Sequence, residues 1–323
     1  MTGKPFLIDA HADILYRMET EHLQFGDAGS PLHLSYPKIL QAGIDLQFFA
    51  LYVDPPYTPQ EHLAKLICYI DTFRTQVCRE DRMLPVLTYA DIERNRRAGK
   101  KSALLSIEGG EFLTDDLRPL RVLYSLGVRA MGLTWNHKNA LAYGVGEPED
   151  GGLTPFGREV VREMNRLGML IDVSHLAPRG VQDVLEITQA PIIASHSNAK
   201  AVYAHRRNLD DEQIKAIIRN GGVIGVTFVP YFIGKEPVGI ADLLRHIDHI
   251  LALGGEDHVG LGSDFDGIPR TMVDLRSGAD YPKLLAALDK EYGPAIAAKL
   301  CGENFLRVLK AVLKQEDQNE RAV

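Results

Sequence analysis

The sequence contains few cysteines, and their pattern excludes a disulfide-stabilised fold. Among its 323 residues only Cys68, Cys78 and Cys301 are cysteines, and no C-x-x-C spacing occurs. A sparse and odd set of this kind is typical of proteins in a reducing compartment. Cys68 and Cys78 lie ten residues apart on one predicted helix, which is too far for them to bridge.

The sequence also lacks an excess of positive charge and any long hydrophobic run. Its net charge is −7, whereas a nucleic-acid partner would favour a basic stripe. No apolar stretch approaches the ~20 residues of a membrane span, and the first residues contain no hydrophobic core of a signal peptide. We therefore expect a cytoplasmic protein that binds neither nucleic acid nor membrane.

What the chain does contain is a series of short, nearly continuous apolar runs, most of them separated by helical patterns. Such runs are typical of parallel strands that are covered on both faces. Eight are predicted as strands: 6–9, 44–53, 103–107, 130–135, 169–173, 191–195, 223–229 and 259–262. Eight strands that alternate with helices predict an α/β fold of the (β/α)8 or TIM-barrel type.

Helix signals agree with this interpretation. An apolar stripe predicts a helix within 61–77, and Thr154 with Pro155 begins another that ends before Gly168, as expected for a cap, an N1 proline and a terminal glycine. Residues 281–313 are expected to form two or three helices broken at 293–294 and 302. We predict one domain over 1–314 and a frayed polar tail over 315–323. Residues 18–37 are expected to be an insertion that acts as a lid or a homodimer contact.

Side chains suited to metal binding follow several of the predicted strands. His11 and Asp13 come directly after the first strand, and residues two apart in a strand point to the same side. In a barrel the C-terminal ends of all strands share one rim, where active sites lie. The candidate residues on this rim are His11, Asp13, Glu108, His175, His196 and Asp264.

Three histidines and three carboxylates exceed the ligands that one zinc ion needs. Glu108 is the natural bridge between two cations, which together would hold a water and remove its proton near neutral pH. Each residue taken alone is equally well explained as a helix cap or a satisfied polar group in the core. Asp172 fits that structural role or a role as partner of a ligand, and the other histidines, His62 included, are expected to be surface or structural. The joint pattern at the strand ends favours a metal centre.

With these residues in order, the chain resembles the membrane dipeptidases, also called renal dipeptidases, from about Phe6 to Leu313. The family's H-x-D pair matches His11 and Asp13, and its I-E-G-G turn matches the turn that holds Glu108. Its two further histidine ligands lie 21 residues apart, as His175 and His196 do. Its R-R-N and D-F-D-G motifs match 206–208 and 264–267.

The resemblance implies a zinc dipeptidase with two Zn2+ ions per chain and an amidohydrolase-type barrel. His11 and Asp13 would hold one ion, His175 and His196 the other, and Glu108 both. Two further roles are implied outside the ligand set. Arg207 would bind the free carboxylate of a dipeptide, and Asp264 would carry a proton from the attacking water to the leaving amine, with Asp266 as its rival. Substrates with a C-terminal D-residue are included among those that the resemblance implies.

One departure from the family pattern concerns the fourth strand. Animal members place a histidine after Leu-Thr, where it polarises the scissile carbonyl, but here Trp135 follows Leu133 and Thr134. His137 or Asn136 is the candidate replacement as a substrate contact, and Trp135 is the candidate for a pocket wall.

Two alternative functions stay open at this point. One is an amidohydrolase for N-acyl amino acids, cyclic amides or lactones. Many barrels of that kind bridge their metals with a carboxylated lysine. Here the third predicted strand ends in Glu108 instead, which argues against those subgroups. The other alternative is a metal-binding protein without catalytic activity.

Overall fold

The computed structural model describes residues 4–315, and its parallel strands form one barrel-like sheet. The strands are β1 Ile8–Asp9, β2 Leu46–Tyr52, β3 Met83–Pro85, β4 Lys101–Glu108, β5 Val128–Gly132, β6 Leu170–Asp172, β7 Ile193–Ala194, β8 Val223–Val226 and β9 Val259–Leu261. The order is β1-β2-β4-β5-β6-β7-β8-β9, and β3 pairs with the first residues of β4. The predicted (β/α)8 architecture is thereby confirmed.

The first and last strands lie beside each other and close the barrel. The Ala10 N–H donates to the Leu261 carbonyl at 2.9 Å, and the Asp264 N–H donates to the His11 carbonyl at 3.0 Å. Residues from the two ends of the sequence therefore become neighbours at one point of the rim.

Helices surround the sheet. They are α1 Ile14–Thr20, α2 Tyr36–Ala42, α3 Pro59–Thr72, α4 Tyr89–Arg97, α5 Arg118–Ser125, α6 Pro155–Leu167, α7 Pro178–Ile187, α8 Asp211–Asn220, α9 Pro230–Ile233, α10 Ile240–Ala252, α11 Tyr281–Ala298 and α12 Asn304–Val312. Phe73–Val77 and Lys299–Glu303 are π-helical, and Gly278–Asp280 is a short 3-10 turn. Within residues 4–315, no helix combines the length and apolarity that crossing a bilayer requires.

The local helix signals act as expected. The Thr154 hydroxyl accepts a hydrogen bond from the Gly157 N–H at 2.9 Å and caps α6, which ends at Gly168 with φ 74°. Gly293, with φ 73°, breaks the helical backbone inside α11. The predicted helix over 61–77 is instead two elements, since α3 passes into the π-helical turn at Phe73.

The C-terminal helix α12 closes the end of the barrel opposite the metal-type residues. Its Phe305 and Leu309 belong to one buried apolar cluster with Phe48, Leu104 and further inward-facing strand residues. A larger cluster fills the space between the strands and the surrounding helices. This end of the barrel is therefore packed, and the metal-type residues lie at the opposite rim, at the strand C-termini. Of the predicted polar tail, 316–323 lies outside the described residues.

Candidate metal centre

The five predicted metal ligands meet at the rim around the carboxylate of Glu108. One carboxylate oxygen of Glu108, Oε2, lies 3.3 Å from Nε2 of His11. The other, Oε1, lies 2.9 Å from Nε2 of His175 and 3.7 Å from Nε2 of His196. On the far side of His11, Oδ2 of Asp13 lies 3.5 Å from the same Nε2. The two oxygens of one carboxylate thus face ligands from different strand ends, as a bridge between two cations requires.

Burial sets the charge of this cluster. Burial, reinforced by the positive charge of Arg207, lowers the pKa of His175 to about 4. Burial likewise holds the pKa of His196 well below its ordinary value. Burial alone would raise the pKa of Glu108, but His11 and His175 hold that pKa well below its usual range. His175, His196 and Glu108 are thus in the protonation states that metal ligands need. Burial alone would lower the pKa of His11, but Glu108 and Asp13 raise it well above its ordinary value, so His11 would release a proton on binding a cation.

Unpaired polar atoms show that the cluster fits a cation. Both ring nitrogens of His11 and Oδ1 of Asp13 are buried and have no hydrogen-bond partner among residues 4–315. Such atoms are costly unless something satisfies them. Ligand atoms of His11, Glu108 and His196 lie within 4.8 Å of one another, and so do those of His11, Asp13 and Asp264. Imidazole nitrogens mixed with carboxylate oxygens suit a borderline cation such as zinc.

Hydrogen bonds behind the histidines fix which ring nitrogen faces the centre. Nδ1 of His196 lies 2.8 Å from the Ser195 hydroxyl, which in turn donates to the Asp172 carboxylate. Because Ser195 uses its proton on Asp172, it accepts from Nδ1–H and leaves Nε2 of His196 unprotonated. Nδ1 of His175 lies 2.9 Å from Oδ1 of Asn136. Asp172 is therefore linked through Ser195 to the predicted ligand His196, and Asn136 positions the predicted ligand His175.

The backbone is left-handed at several site residues. His175, Asp264 and Asp266 have φ of 67°, 64° and 69°, a region in which His, Asp and Asn are the enriched non-glycine residues. The next residue, Gly267, must lack a side chain because two carboxylates lie close to it. A Cβ on Gly267 would lie 2.1 Å from Oδ2 of Asp13 and 2.8 Å from Oδ1 of Asp264. The last residue of the D-F-D-G motif thus leaves room for two carboxylates.

The two aspartates of that motif have different surroundings. Asp264 lies beside the cluster, with Oδ1 3.9 Å from Nε2 of His11. Asp266 instead accepts hydrogen bonds from the His33 N–H at 2.7 Å, the Leu34 N–H at 3.0 Å and the Arg17 guanidinium at 3.1 Å. Asp266 thus joins the segment 18–37 to the rim, whereas Asp264 is the aspartate that lies beside the cluster.

A cavity of about 550 Å³ lies over the cluster and contains Arg207, Asp264, Asn136 and His175 in its wall. Arg207 is 5% exposed, and its Nη2 donates to the His196 carbonyl at 3.1 Å. Its Nε has no partner among residues 4–315. A guanidinium with a free donor therefore lines the same cavity as the metal-type residues.

Comparison with known proteins gives this arrangement a family. The family model described as membrane dipeptidase, peptidase family M19, matches residues 2–322. The chain belongs to this family. A metallopeptidase of Rhodobacter sphaeroides, solved with a phosphinate mimic of the dipeptide L-Ala-D-Ala, is 29% identical with a TM-score of 0.89, over 96% of this chain and 100% of that one.

Two further matches agree with membership of M19. A structure described as dipeptidase AC of family M19 is 31% identical with a TM-score of 0.88, over 96% of this chain and 99% of that one. An uncharacterized dipeptidase of Schizosaccharomyces pombe is 35% identical, over 94% of this chain and 80% of its own length. The predicted enzyme class, a metal-dependent dipeptidase, is confirmed.

Trp135 and His137, which stand after β5 where the family pattern has a histidine, have different positions in this M19 chain. The ring of Trp135 lies 6.1 Å from that of His175 and 5.4 Å from that of Tyr52, so Trp135 forms a wall of the cavity. The side chain of His137 is 67% exposed and pairs with Glu147 at 3.4 Å. Of the two candidate replacements, Asn136 lies against the predicted ligand His175, and His137 lies away from the cluster.

The sequence interpretation missed several aromatic residues of this cavity. Tyr16, Tyr52 and Tyr231 line it, yet none belongs to a motif with recognisable spacing. Ser195 was missed as well, although its position directly before the predicted ligand His196 could have indicated a supporting role.

Proposed function

We propose that this M19 dipeptidase uses two zinc ions and that the side chains gathered around Glu108 hold them. The observation that carries the proposal is the placement of the two Glu108 oxygens, 3.3 Å and 2.9 Å from histidines of different strand ends. The proposed ligands are His11 and Asp13 for one ion, His175 and His196 for the other, and Glu108 for both. Bound zinc would supply polarisation of the scissile carbonyl and a lowered pKa for the attacking water.

Asp264 is the proposed proton carrier. It lies beside His11 in the wall of the cavity, and its side chain is 15% exposed. From there its carboxylate accepts a proton from the attacking water and delivers it to the leaving amine. The hydrogen bond between its own N–H and the His11 carbonyl keeps it beside the ligand cluster.

Arg207 is the proposed anchor for the C-terminal carboxylate of the dipeptide. Its guanidinium is buried in the cavity wall and has an unpaired Nε. A planar guanidinium binds a carboxylate through two parallel hydrogen bonds. Because the anchor recognises a carboxylate one residue beyond the scissile bond, it restricts the enzyme to dipeptides.

The substrate range includes dipeptides with a C-terminal D-residue. Support comes from the similar Rhodobacter sphaeroides protein, which was solved with a mimic of L-Ala-D-Ala. Asn136 and His137 stay proposed substrate contacts at the cavity mouths. A cytoplasmic location and a homodimer stay predictions from the sequence.

A dipeptide library with L-L and L-D members tests this function, in parallel with N-acyl amino acids and with and without a chelator. We expect hydrolysis of dipeptides, its loss on chelation and its return with zinc. Elemental analysis should give two zinc ions per chain, and Glu108→Gln should lower metal content and activity together. Hydrolysis of N-acyl amino acids alone would favour the other amidohydrolase activities. Full zinc loading with no turnover would favour a protein that only binds metal.

A separate variant tests the carboxylate anchor. Arg207→Ala should raise KM for dipeptides roughly 10- to 100-fold, since hydrogen bonds to charged groups contribute about 1.5–3 kcal/mol. Arg206→Ala is the matched control, because Arg206 is exposed and donates to the Gly146 carbonyl at 3.0 Å. An unchanged KM for Arg207→Ala would show that the carboxylate is bound elsewhere.

A further inference from the structure

A second cavity, of about 470 Å³, adjoins the metal centre and shares Glu108 and Trp135 with the first. Much of its wall is apolar and includes Val53, Pro55 and Tyr57. The mechanism described above gives this space no role.

The strand order places this cavity across the rim from Arg207. Its wall comes from segments that follow β2, β4 and β5, whereas Arg207 follows β7 and Tyr231 follows β8. On the proposed function, a dipeptide has its C-terminal carboxylate at Arg207 and its scissile bond at the metal centre. The N-terminal residue then extends away from β7 and β8, and its side chain meets the second cavity.

Glu111 is a partly buried carboxylate in the wall of this cavity. Its Oε1 accepts hydrogen bonds from the Trp135 N–H at 3.1 Å and from the Asn139 amide at 3.2 Å. Within residues 4–315, no lysine or arginine forms a salt bridge with it, and burial raises its pKa. A carboxylate that is desolvated without a cationic partner is costly to the fold.

The cationic groups nearest to this cavity are already engaged. The Lys138 ammonium donates to the Tyr143 hydroxyl at 2.7 Å and lies 4.3 Å from the centre of that ring. His137 pairs with Glu147. Both residues line the cavity, but neither is paired with Glu111, so its carboxylate is available to a group that enters from outside.

A histidine nitrogen in the same wall has no hydrogen-bond partner among residues 4–315. Nε2 of His62 is buried, and no hydrogen-bond partner for it is present in the described part of the chain. Burial lowers the pKa of His62 to about 4, so the ring is neutral and its nitrogen adds no positive charge. A largely apolar space with a carboxylate that has no cationic partner among the described residues, and with a neutral imidazole, suits a methylene chain that ends in a hydrogen-bond donor.

We propose that this cavity binds the side chain of the dipeptide's N-terminal residue and favours a long side chain that ends in an ammonium or guanidinium group, with Glu111 as its anionic partner. The apolar wall covers the methylene stem, as it does for lysine and arginine side chains in proteins. Trp135, which also lines the cavity, adds an aromatic ring that can attract a cation. The specificity is set by the charge of Glu111 and by the length of the cavity.

The test compares lysyl-alanine with norleucyl-alanine, because the two side chains share four methylene-type carbons and differ in the terminal ammonium. In the wild-type enzyme we expect kcat/KM to be about tenfold or more higher for the lysyl substrate, as one charge-assisted hydrogen bond predicts. Glu111→Gln should bring the ratio of the two values close to one. Glu93→Gln is the control, since it removes the same charge from an exposed position on α4, and the wild-type ratio should persist.

Two results would overturn the role of Glu111 in selecting a cationic side chain. Equal kcat/KM values for the two substrates in the wild-type enzyme would overturn the proposal, and this measurement needs no variant. An equal loss for both substrates in Glu111→Gln would also overturn it, because Glu111 would then act on a group common to both. If no dipeptide of any kind is hydrolysed, it is the proposed function that fails.

Discussion

Replacing Ser195 tests how strongly the residues behind a ligand control metal binding. The Ser195 hydroxyl is fully buried, lies 2.8 Å from Nδ1 of His196 and donates to Asp172. Ser195→Ala removes a single oxygen and leaves Nδ1–H of His196 as a buried donor without a partner. Asp172 keeps its two backbone donors, the N–H groups of Ser174 at 3.0 Å and of residue 195 at 2.9 Å, so the loops themselves should persist.

The magnitude follows from two consequences of this loss. An unsatisfied buried donor costs about 1–3 kcal/mol, and the imidazole loses the bond that selects its tautomer and orientation. Residues in this position behind a metal ligand typically contribute about 10- to 100-fold to metal affinity. We therefore expect zinc to bind Ser195→Ala about 10- to 100-fold more weakly than the wild type, with kcat at saturating zinc less affected.

Competition with a chromophoric chelator measures the zinc affinity of each protein. Thermal unfolding of the apo-proteins shows whether a substitution also changes stability in the absence of zinc. Ser197→Ala is the matched control, because Ser197 is also buried and adjacent to His196, but its hydroxyl lies 3.4 Å from that of Ser174. Equal zinc affinity for the wild type, Ser195→Ala and Ser197→Ala would refute the assigned role of the serine.

Two further predictions concern stability and space at the site. The hydrogen bond from Arg166, together with that from Arg121, lowers the pKa of Glu163 to about 2, although burial alone would raise it. The folded state therefore favours the charged form of Glu163. The stability that this charge contributes is present above the ordinary pKa and is lost as pH falls toward 2. Glu163→Gln should lower the free energy of unfolding by about 1–2 kcal/mol at pH 7, which is less than the full pKa shift implies because the arginines are exposed. Urea titrations should show a smaller loss at pH 3. A loss that does not depend on pH would contradict this. Gly267→Ala should weaken zinc binding about 10- to 100-fold, because its Cβ would displace the Asp13 carboxylate, and full zinc content with normal kcat/KM would disprove that crowding.

The sequence predicted the barrel because its strands are apolar on both faces, but it placed the strand ends poorly. The run 223–229 ends as strand β8 at Val226, since the Thr227 N–H donates to the side chain of Asn198 at 3.1 Å instead of a strand. Strand β3 was not predicted, because Met83–Pro85 is too short to form an apolar run and contains a proline. These features depend on contacts with distant residues, which local patterns do not contain.

The proposed ligands could be picked out in the sequence because each lies at or shortly after the C-terminal end of a strand, and strand ends converge in a barrel. The roles of loop residues were less accessible. Asn136 faces His175 rather than open space because the loop after β5 folds back, with the Gly146 N–H on the Asn136 carbonyl at 2.7 Å. Glu111, three residues after Glu108, was visible as an acid in the same turn, but only the tertiary structure brings it to a cavity with His62.

The metal-type residues lie where the segment after β1 is hydrogen-bonded to β9 and to the segment after it, at the seam that closes the barrel. Strand β1 has only two residues, and the bonds of Ala10 and Asp264 join the start of the chain to a segment some 250 residues later. His11 and Asp13 on one side of this seam lie in one cluster with Asp264 on the other, so metal bound at this cluster would hold the two ends of the fold together. Stripping the metal should therefore speed amide exchange at Ala10 and Asp264 before it does so in the long central strands β2 and β4.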